Sequence, residues 1–292
     1  MIDVVWDMET GDPDDFLTLL LLCGHPRVNL KAVTITPGTP KQIGLVRYAL
    51  NLFDLEIPVG SFDIERQKEC VSSWHYKVFG NIPESRDAIP GFEVLLYACN
   101  QDTTLITGAP LKNVGAAIKA GFRVGRWVAQ GGFAGEGVVP SEWQLEKFKG
   151  MRTCPTYNFN GDPKSALAAL SYDGIGERLL VSKNVCHGVY YDREVHERVT
   201  AVKDKSLSMQ MIHKGMDLYL RKHPQGKKFH DPLAACCAID DSIARWSDDV
   251  VIFRERGQWG AKPAPIDYPG PRCKIILYHK HERFLQTLTE TP

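Results

Sequence analysis

Residues 2–15 read Ile-Asp-Val-Val-Trp-Asp-Met-Glu-Thr-Gly-Asp-Pro-Asp-Asp, and this stretch decides the fold. The apolar run at 2–6 is typical of a buried strand, and residues 13–23 have the pattern of a helix with acids in its first turn. A further apolar run at 30–36 predicts a second strand. The chain therefore opens with a strand, a helix and a strand, the unit from which parallel sheets are built.

The same alternation of short apolar runs and helical patterns continues along the chain. Further strands are predicted at residues 103–107, 124–130, 250–254 and 274–278, and further helices at 41–53, 111–120, 163–170, 206–221 and 232–244. This order predicts an α/β fold with an open, mostly parallel (Rossmann-like) sheet and helices on both faces. Because no linker or repeat divides the chain, residues 1–292 are expected to form one domain, with 132–157 as an inserted loop or lid.

The charge balance bears on the class of function. The 292 residues include 35 Lys and Arg and 35 Asp and Glu, so the formal net charge is zero and no overall positive field exists to hold nucleic acid or an anionic membrane. The longest apolar stretch, residues 16–23, is too short to span a bilayer. Acids stand where a signal peptide is basic, and the eight cysteines show no C-x-x-C spacing. These features predict a cytoplasmic protein with a small-molecule substrate, no nucleic-acid partner and no membrane association.

Five acids lie within nine residues: Asp7, Glu9, Asp12, Asp14 and Asp15. They fall where the first strand passes into the first helix, at the carboxyl edge where open α/β sheets place their sites. Crowded carboxylates repel one another unless a cation compensates them, and their oxygens suit Ca²⁺ or Mg²⁺. Capping of the helix N-terminus accounts for one or two of these acids but not for five. The cluster predicts a metal site or a catalytic site.

This acidic stretch resembles the N-terminal D-x-D-x-G-x-D-D signature of the inosine-uridine-preferring nucleoside hydrolases, in a variant with an extra residue before the paired Asp. Further matches follow in the order of that family. They are Gly38, the run Gly-Ala-Pro-Leu-Lys-Asn at 108–113 for G-P-L-T-N, Asn158 before Asp162-Pro163 for E-F-N-x-x-x-D-P, Asn-Val-Cys-His at 184–187 for D-V-T-H, and His-Asp-Pro-Leu-Ala at 230–234 for H-D-P-L-A. The resemblance spans residues 2–240.

The resemblance implies a Ca²⁺-dependent hydrolase of the N-glycosidic bond of a ribonucleoside. It implies that Glu9, Asp15, Asp231 and the backbone carbonyl of Lys112 hold the ion. It also implies catalytic roles for Glu9, Asp231 and His230, with His230 near the base. A cation held by three carboxylates lowers the pKa of a water, and so generates a nucleophile near neutral pH.

On the sugar side, the resemblance implies that Asp14 and Asn158 bind ribose hydroxyls, with Thr39 and Thr156 at further substrate-contacting positions. Carboxylates near the sugar stabilise an oxocarbenium-like transition state. As the family is commonly oligomeric, the chain is expected to form a homodimer or homotetramer and to serve nucleoside salvage.

The sequence departs from the family pattern at several of these positions. Glu9 stands where the family has Asp, and Pro13 accompanies the extra residue, so the loop that seats the ion differs. Thr39 replaces an Asn and Thr156 replaces a Glu, while Lys112 replaces a Thr whose backbone carbonyl is the group used. The loss of two polar side chains on the sugar side, together with the insertion at 132–157, predicts a modified or non-standard nucleoside as substrate.

Two alternatives remain at the level of sequence. Asp7-Met8-Glu9-Thr10 resembles the D-x-E-T opening of DEDD-type two-metal 3′-5′ exonucleases, although the later acids of that fold are missing. A homologue that binds a nucleoside without cleaving it is the other alternative. His187 is a candidate for either a structural or a functional role, and Trp143 and Trp259 are candidates either for stacking on a base or for packing in the core.

Overall fold

The structure, a computed structural model, describes residues 1–292. Its strands are β1 Ile2–Met8, β2 Val28–Ile35, β3 Val59–Ser61, β4 Ile89–Pro90, β5 Thr103–Thr107, β6 Val124–Gln130, β7 Thr153–Cys154, β8 Ile175–Val181, β9 Tyr190–Tyr191, β10 Lys227–Lys228, β11 Ala244–Trp246, β12 Val250–Glu255, β13 Gln258–Pro263 and β14 Lys274–His279. Its α-helices are α1 Pro13–Gly24, α2 Pro40–Leu52, α3 Ser73–Phe79, α4 Gly91–Ala98, α5 Lys112–Lys119, α6 Tyr157–Gly161, α7 Pro163–Ser171, α8 Lys183–Cys186, α9 Arg193–Val202, α10 Leu207–Lys222, α11 His230–Ile239 and α12 His281–Leu288.

Nine strands form one central sheet in the order β11-β14-β8-β6-β5-β1-β2-β3-β4. All neighbours in it run parallel except β11 and β14. The predicted open, mostly parallel α/β sheet is confirmed. Because β1 lies near the middle, its carboxyl end opens between β2 and β5, and side chains that follow β1 reach a cleft shared by several strands.

The side chains of β1 alternate between two apolar layers. Val4, Trp6 and Met8 join the core packed by α1, α10 and α11, whereas Val5 joins the core packed by α4, α5 and α7. This alternation follows from the two-residue period of a strand, and it explains why the apolar residues of the opening run fall on both faces. The helices therefore cover both faces of the sheet, and no helix is long and apolar enough to cross a membrane.

Several boundaries differ from the predictions. The helix predicted at 232–244 begins earlier, at His230, and ends at Ile239, because Asp240 ends it and the chain turns into the edge strand β11. The predictions lack the helices α3, α4, α6, α8, α9 and α12, and they also lack β8, a strand inside the central sheet. α9 and α12 have polar outer faces and short apolar stripes, which local hydrophobicity registers weakly.

The segment 132–157 is compact, with two 3₁₀ turns at Ser141–Trp143 and Glu146–Phe148 followed by β7. β7 pairs with β13, which pairs with β12, so the segment is anchored to a three-stranded antiparallel sheet. Phe133, Phe148 and Cys154 form a small apolar cluster of its own beneath it. All eight cysteines are free thiols.

A buried polar network fixes the end of β1 to its neighbours. The Asp7 carboxylate accepts hydrogen bonds from the Thr34 hydroxyl at 2.6 Å and from the Asn113 side-chain amide at 2.9 Å. The same Asn113 amide also donates to the Ile35 carbonyl and the Thr36 hydroxyl. Asp7 therefore joins β1, β2 and α5 inside the core, and it does not join the other four acids of the cluster in the cleft.

We expect Asn113→Ala to lower the free energy of unfolding by about 2 kcal/mol, because it leaves the buried Asp7 carboxylate and Ile35 carbonyl short of a donor. Urea denaturation monitored by circular dichroism measures this change. Asn51→Ala, at an exposed position on α2, is the matched control and should stay within about 0.5 kcal/mol of the parent. Equal stability of the two variants would contradict the structural role of Asn113.

Candidate functional site

The turn between β1 and α1 brings three acids to one place. Glu9 follows the last residue of β1, and Asp14 and Asp15 occupy the first turn of α1, which Pro13 starts. The backbone N–H of Glu9 donates to Asp15 Oδ1 at 3.0 Å, which closes the turn. The positive end of the α1 dipole stabilises both aspartates. Asp14 and Asp15 both line the cleft, in a loop that carries one residue more than the family pattern.

A second helix contributes its own N-terminus from more than 200 residues away. α11 begins at His230, and the backbone N–H groups of His230 and Asp231 donate to Asp14 Oδ2 at 3.1 Å and 3.4 Å. Two helix N-termini therefore meet at the acidic cluster, and Asp14 is the carboxylate that links them.

Lys227, which the sequence did not single out, lies against the same cluster. Its ammonium is 2.9 Å from Asp12 Oδ1 and 3.3 Å from Asp14 Oδ1, and it donates to the Lys228 carbonyl at 3.0 Å. Burial alone would lower the pKa of Lys227, but Asp14 and Asp12 outweigh it and hold that pKa above its ordinary value. Lys227 therefore supplies a positive charge to the cluster. The sequence pattern does not indicate this role, because it depends on contacts between distant segments of the chain.

The remaining oxygens of the cluster suit a cation. Asp14, Asp15 and Asp231 each offer an oxygen within 4.8 Å of the others. Both oxygens of Asp14 already accept N–H bonds, whereas Asp231 Oδ1 is buried without a partner. Glu9 lines the same cavity but lies outside this close group of three. The donor set fits a hard divalent cation on the side of Asp15 and Asp231.

Proton affinity in the cluster is high. Burial, with Asp12 and Asp14 nearby, raises the pKa of Glu9 to about 7. Burial and the neighbouring Asp231 raise the pKa of Asp15 well above its ordinary value, and burial with Asp14 does the same for Asp231. Crowded carboxylates of this kind must be compensated by protons or by a cation.

The acids, Gly108, Gln130, Tyr157, Asn158 and His230 enclose an open cavity of about 360 Å³, called here the acidic cavity. Position 108 requires glycine, because a Cβ there would lie 2.6 Å from Asp231 Oδ1 and 2.4 Å from the Trp6 ring. Lys112 does not line this cavity; it lies in the first turn of α5, and its ammonium stacks on Phe62 at 5.4 Å. Gly108 therefore lies beside the carboxylates, whereas the Lys112 side chain lies away from them. The role of the Lys112 backbone carbonyl as an ion ligand stays a prediction.

Thr39 also lies outside the acidic cavity. Its hydroxyl caps α2 by accepting the Gln42 N–H, and it borders a separate polar cleft with Lys41, Glu69 and Glu84. Gly38 before it has φ of +89° and packs against Ser61, so only glycine fits that turn.

Asn158 lies as predicted, at the wall of the acidic cavity. Its amide donates to the Gln130 carbonyl at 3.0 Å and to Gln130 Oε1 at 2.7 Å. The sequence analysis did not select Gln130. Its position at the end of β6, on the carboxyl edge of the sheet, is the one feature of the sequence that indicates a place in the site. Thr156 is buried next to Asn158, and its hydroxyl has no partner.

A second cavity of about 100 Å³, called here the histidine cavity, adjoins the first and shares Gln130, Tyr157, Asn158 and His230 with it. Thr156, Lys183 and His187 line its far side. The His187 ring stacks on the His230 ring with centroids 4.8 Å apart and planes 14° apart, and His230 Nε2 is buried without a partner. His187 therefore belongs to the site.

Both histidines are neutral at pH 7. Burial, with His230 and Lys147 nearby, lowers the pKa of His187 to about 3. Burial, with Lys227 nearby, lowers the pKa of His230 to about 3. His187 Nδ1 lies 2.9 Å from the Lys147 ammonium, which can only donate, so the His187 proton resides on Nε2.

Trp143 and Trp259 line neither cavity. Trp259 is fully buried against Phe159 and donates to Asn160 Oδ1 at 2.9 Å. Trp143 packs on Tyr278. The structure therefore supports the interpretation of Trp143 and Trp259 as packing residues, not as residues that stack on a base.

Known proteins share this architecture. A plant nucleoside hydrolase superposes with a TM-score of 0.74 at 18% identity, covering 99% of this chain and 98% of its own. An inosine-guanosine nucleoside hydrolase superposes with a TM-score of 0.74 at 17% identity, covering 98% and 97%. A protein of Aquifex aeolicus (strain VF5) is 27% identical over 293 residues, which cover 95% of this chain and 98% of that relative. The fold is thus that of the nucleoside hydrolases.

The family model described as inosine-uridine preferring nucleoside hydrolase matches residues 4–286. The chain belongs to this family of glycosidases, which act on N-glycosyl bonds. The exonuclease alternative is therefore wrong: the D-x-E-T likeness covers only four residues, whereas the family match covers nearly the whole chain.

We expect Gly108→Ala to lose stability by about 1–3 kcal/mol, because the added methyl overlaps both the buried Trp6 ring and the Asp231 carboxylate. Thermal unfolding and the rate of nucleoside hydrolysis measure the two consequences, and both should fall. Gly11→Ala is the matched control for stability only, because the nearest atom to its Cβ is Glu9 Oε1 at an ordinary 3.9 Å but Gly11 itself lines the acidic cavity. Parent-like behaviour of Gly108→Ala would show that the close approach is not required.

Proposed function

We propose that this protein hydrolyses the N-glycosidic bond of a ribonucleoside with one Ca²⁺ per chain. The observation that carries the proposal is the group of three buried carboxylates within 4.8 Å, beside a cavity that holds a stacked histidine pair. The carboxylates suit a bound cation and the positive charge that develops on the sugar, and the histidine pair suits the departing base.

The proposed ion ligands are Glu9, Asp15 and Asp231. In support, Asp15 and Asp231 each have a carboxylate oxygen that accepts no hydrogen bond from an N–H group, and Glu9 lines the same cavity. The backbone carbonyl of Lys112, in the first turn of α5, is the proposed fourth ligand on the family resemblance alone. A bound Ca²⁺ would lower the pKa of a water and so supply the nucleophile.

Asp14 and Asn158 are the proposed sugar-binding residues. Asp14 is held rigidly by Lys227 and by the N-terminus of α11, and Asn158 is held by Gln130. Because two N–H groups and an ammonium fix its carboxylate, Asp14 needs no rearrangement to accept hydroxyl hydrogen bonds. Negative charge around the sugar stabilises the oxocarbenium-like transition state.

His230 is the proposed donor to the leaving base. Its Nε2 is buried and unpartnered at the junction of the two cavities, where the bond between sugar and base would lie. The stacked His187 holds the ring in place. A neutral imidazole can still donate its one N–H to the departing base.

We further propose a non-standard base or sugar as substrate, since Thr39 caps a helix and Thr156 carries only a hydroxyl at the cavity wall. A cytoplasmic role in nucleoside salvage and assembly as a homodimer or homotetramer are proposed on the family resemblance alone. Sedimentation of the purified protein tests the assembly.

Addition of Ca²⁺ should raise the unfolding midpoint, because an ion present at about 100 times its Kd adds about 2.7 kcal/mol to the folded state. The shift should be larger at pH 8 than at pH 5. The pKa values of Glu9, Asp15 and Asp231 are raised, so these groups hold protons at pH 5 that the ion must displace. Differential scanning fluorimetry with and without Ca²⁺ measures the shift of the unfolding midpoint at both pH values.

Asp15→Asn should lose most of this shift and the release of free base from a panel of ribonucleosides. Asp102→Asn, an exposed carboxylate far along the chain, is the matched control and should keep both. The metal assignment fails if the parent protein shows no Ca²⁺ shift, or if Asp15→Asn keeps the full shift.

His230→Ala should slow a good natural substrate by roughly 10²–10⁴-fold while leaving p-nitrophenyl riboside within about tenfold of the parent rate. The reason is that an activated leaving group departs without a donor. Ion content must be measured in the variant, since Asp231 is adjacent. Equal losses on both substrates, with the ion bound, would assign His230 to positioning.

A further inference from the structure

Three lysines lie at or near the histidine cavity. Lys183 lines it and donates to the Pro155 carbonyl at 2.9 Å. Lys147 reaches His187 at 2.9 Å from the inserted segment 132–157, and Lys228 lies on β10, two residues before His230. None of the three has a carboxylate within 4.0 Å of its ammonium, whereas nearby Lys149 is paired with Glu146. In a chain whose formal charge is zero, this trio is uncompensated.

Three polar groups at this cavity are free to form a hydrogen bond with a ligand. His187 carries its proton on Nε2, since its Nδ1 accepts from Lys147. The Thr156 hydroxyl and His230 Nε2 are buried without partners. None of the nine residues that line the cavity is acidic. Donors and positive charge together are the environment that a carboxylate requires.

The acidic cavity on the other side repels an anion. It holds five carboxylates against the single ammonium of Lys227. Even with a divalent cation bound, the net charge there stays negative. An anionic group on the substrate is therefore stabilised on the base side and not on the sugar side of the cleft.

We propose that the histidine cavity, with Lys147 and Lys183, selects a nucleoside whose base carries an anionic substituent, a carboxylate in the simplest case. This inference rests on the proposed function, since it takes the histidine cavity as the place of the base. It assigns to the inserted segment a specificity role that reaches the cavity through Lys147.

The test compares substrates that differ in charge but hardly in shape. Release of free base from 5-carboxyuridine and 6-carboxyuridine is measured against the corresponding carboxamides, with uridine and inosine as references. The carboxamide withdraws electrons more strongly and makes the better leaving group, so chemistry alone favours the amide. We expect kcat/KM for at least one acid to exceed that of its amide by about tenfold, since two or three partly exposed lysines each add a few-fold.

The double variant Lys147→Met with Lys183→Met keeps the apolar stems and removes the charges. Its ratio of acid to amide kcat/KM should fall toward one. Lys149→Met, two residues from Lys147 and already paired with Glu146, is the matched control and should keep the parent ratio. The parent ratio should also shrink at 0.5 M NaCl, because salt screens exposed charges.

The outcomes separate this inference from the proposed function. Hydrolysis of neutral nucleosides with no preference for either acid overturns the inference and leaves the proposed function standing. A preference for nucleoside 5′-monophosphates over nucleosides places the anion on the sugar and also overturns it. If no nucleoside is hydrolysed, the proposed function fails. Calorimetric binding then decides the inference: tighter binding of an acid than of its amide supports it, and equal binding overturns it.

Discussion

The contact between the Asp14 carboxylate and the N-terminus of α11 holds the site together. Asp14 belongs to the first turn of α1, and it accepts the N–H groups of His230 and Asp231. The two helices pack side by side against the central sheet, so their N-termini converge on one point. Loss of this carboxylate would leave the N–H groups of His230 and Asp231 without the acceptor that joins α11 to α1.

The cleft separates charge along its length. Carboxylates crowd one end, and lysines with neutral histidines form the other. Cleavage of an N-glycosidic bond creates positive charge on the sugar and negative charge on the base. A cleft with a fixed gradient of the same sense stabilises that separation without reorganising. With the sugar and the base placed as proposed, this arrangement would favour the transition state over the ground state, which is the requirement for catalysis.

The sequence predicted the parts of this structure that local pattern encodes. Strand β1, helix α1 and the placement of Glu9, Asp14 and Asp15 follow from an apolar run, a proline at the helix start and acids in the first turn. The matched motifs placed Asn158, His230 and Asp231 at the cavity wall. Each is a short segment whose neighbours along the chain determine its geometry.

Other parts depend on which distant segments meet, and pattern alone does not give these. Lys227 and Lys147 look like ordinary surface lysines in the sequence, yet both reach the site. Thr39 matches a motif position, but its hydroxyl caps α2 and it lies outside the acidic cavity. Such placement is decided by tertiary packing.

The two ends of the cleft also differ in how they are built. The acidic end is made of residues at the ends of β1 and β6 and at the N-termini of α1 and α11, whose backbones are fixed by the core of the sheet. The basic end draws Lys147 from the inserted segment and Lys183 from the short helix α8, and both side chains reach solvent. A substitution at the acidic end must disturb packed carboxylates, whereas one at the basic end alters only a partly exposed side chain. If the proposed placement of sugar and base holds, substitutions at the basic end would alter the choice of base while the carboxylates at the acidic end stay in place.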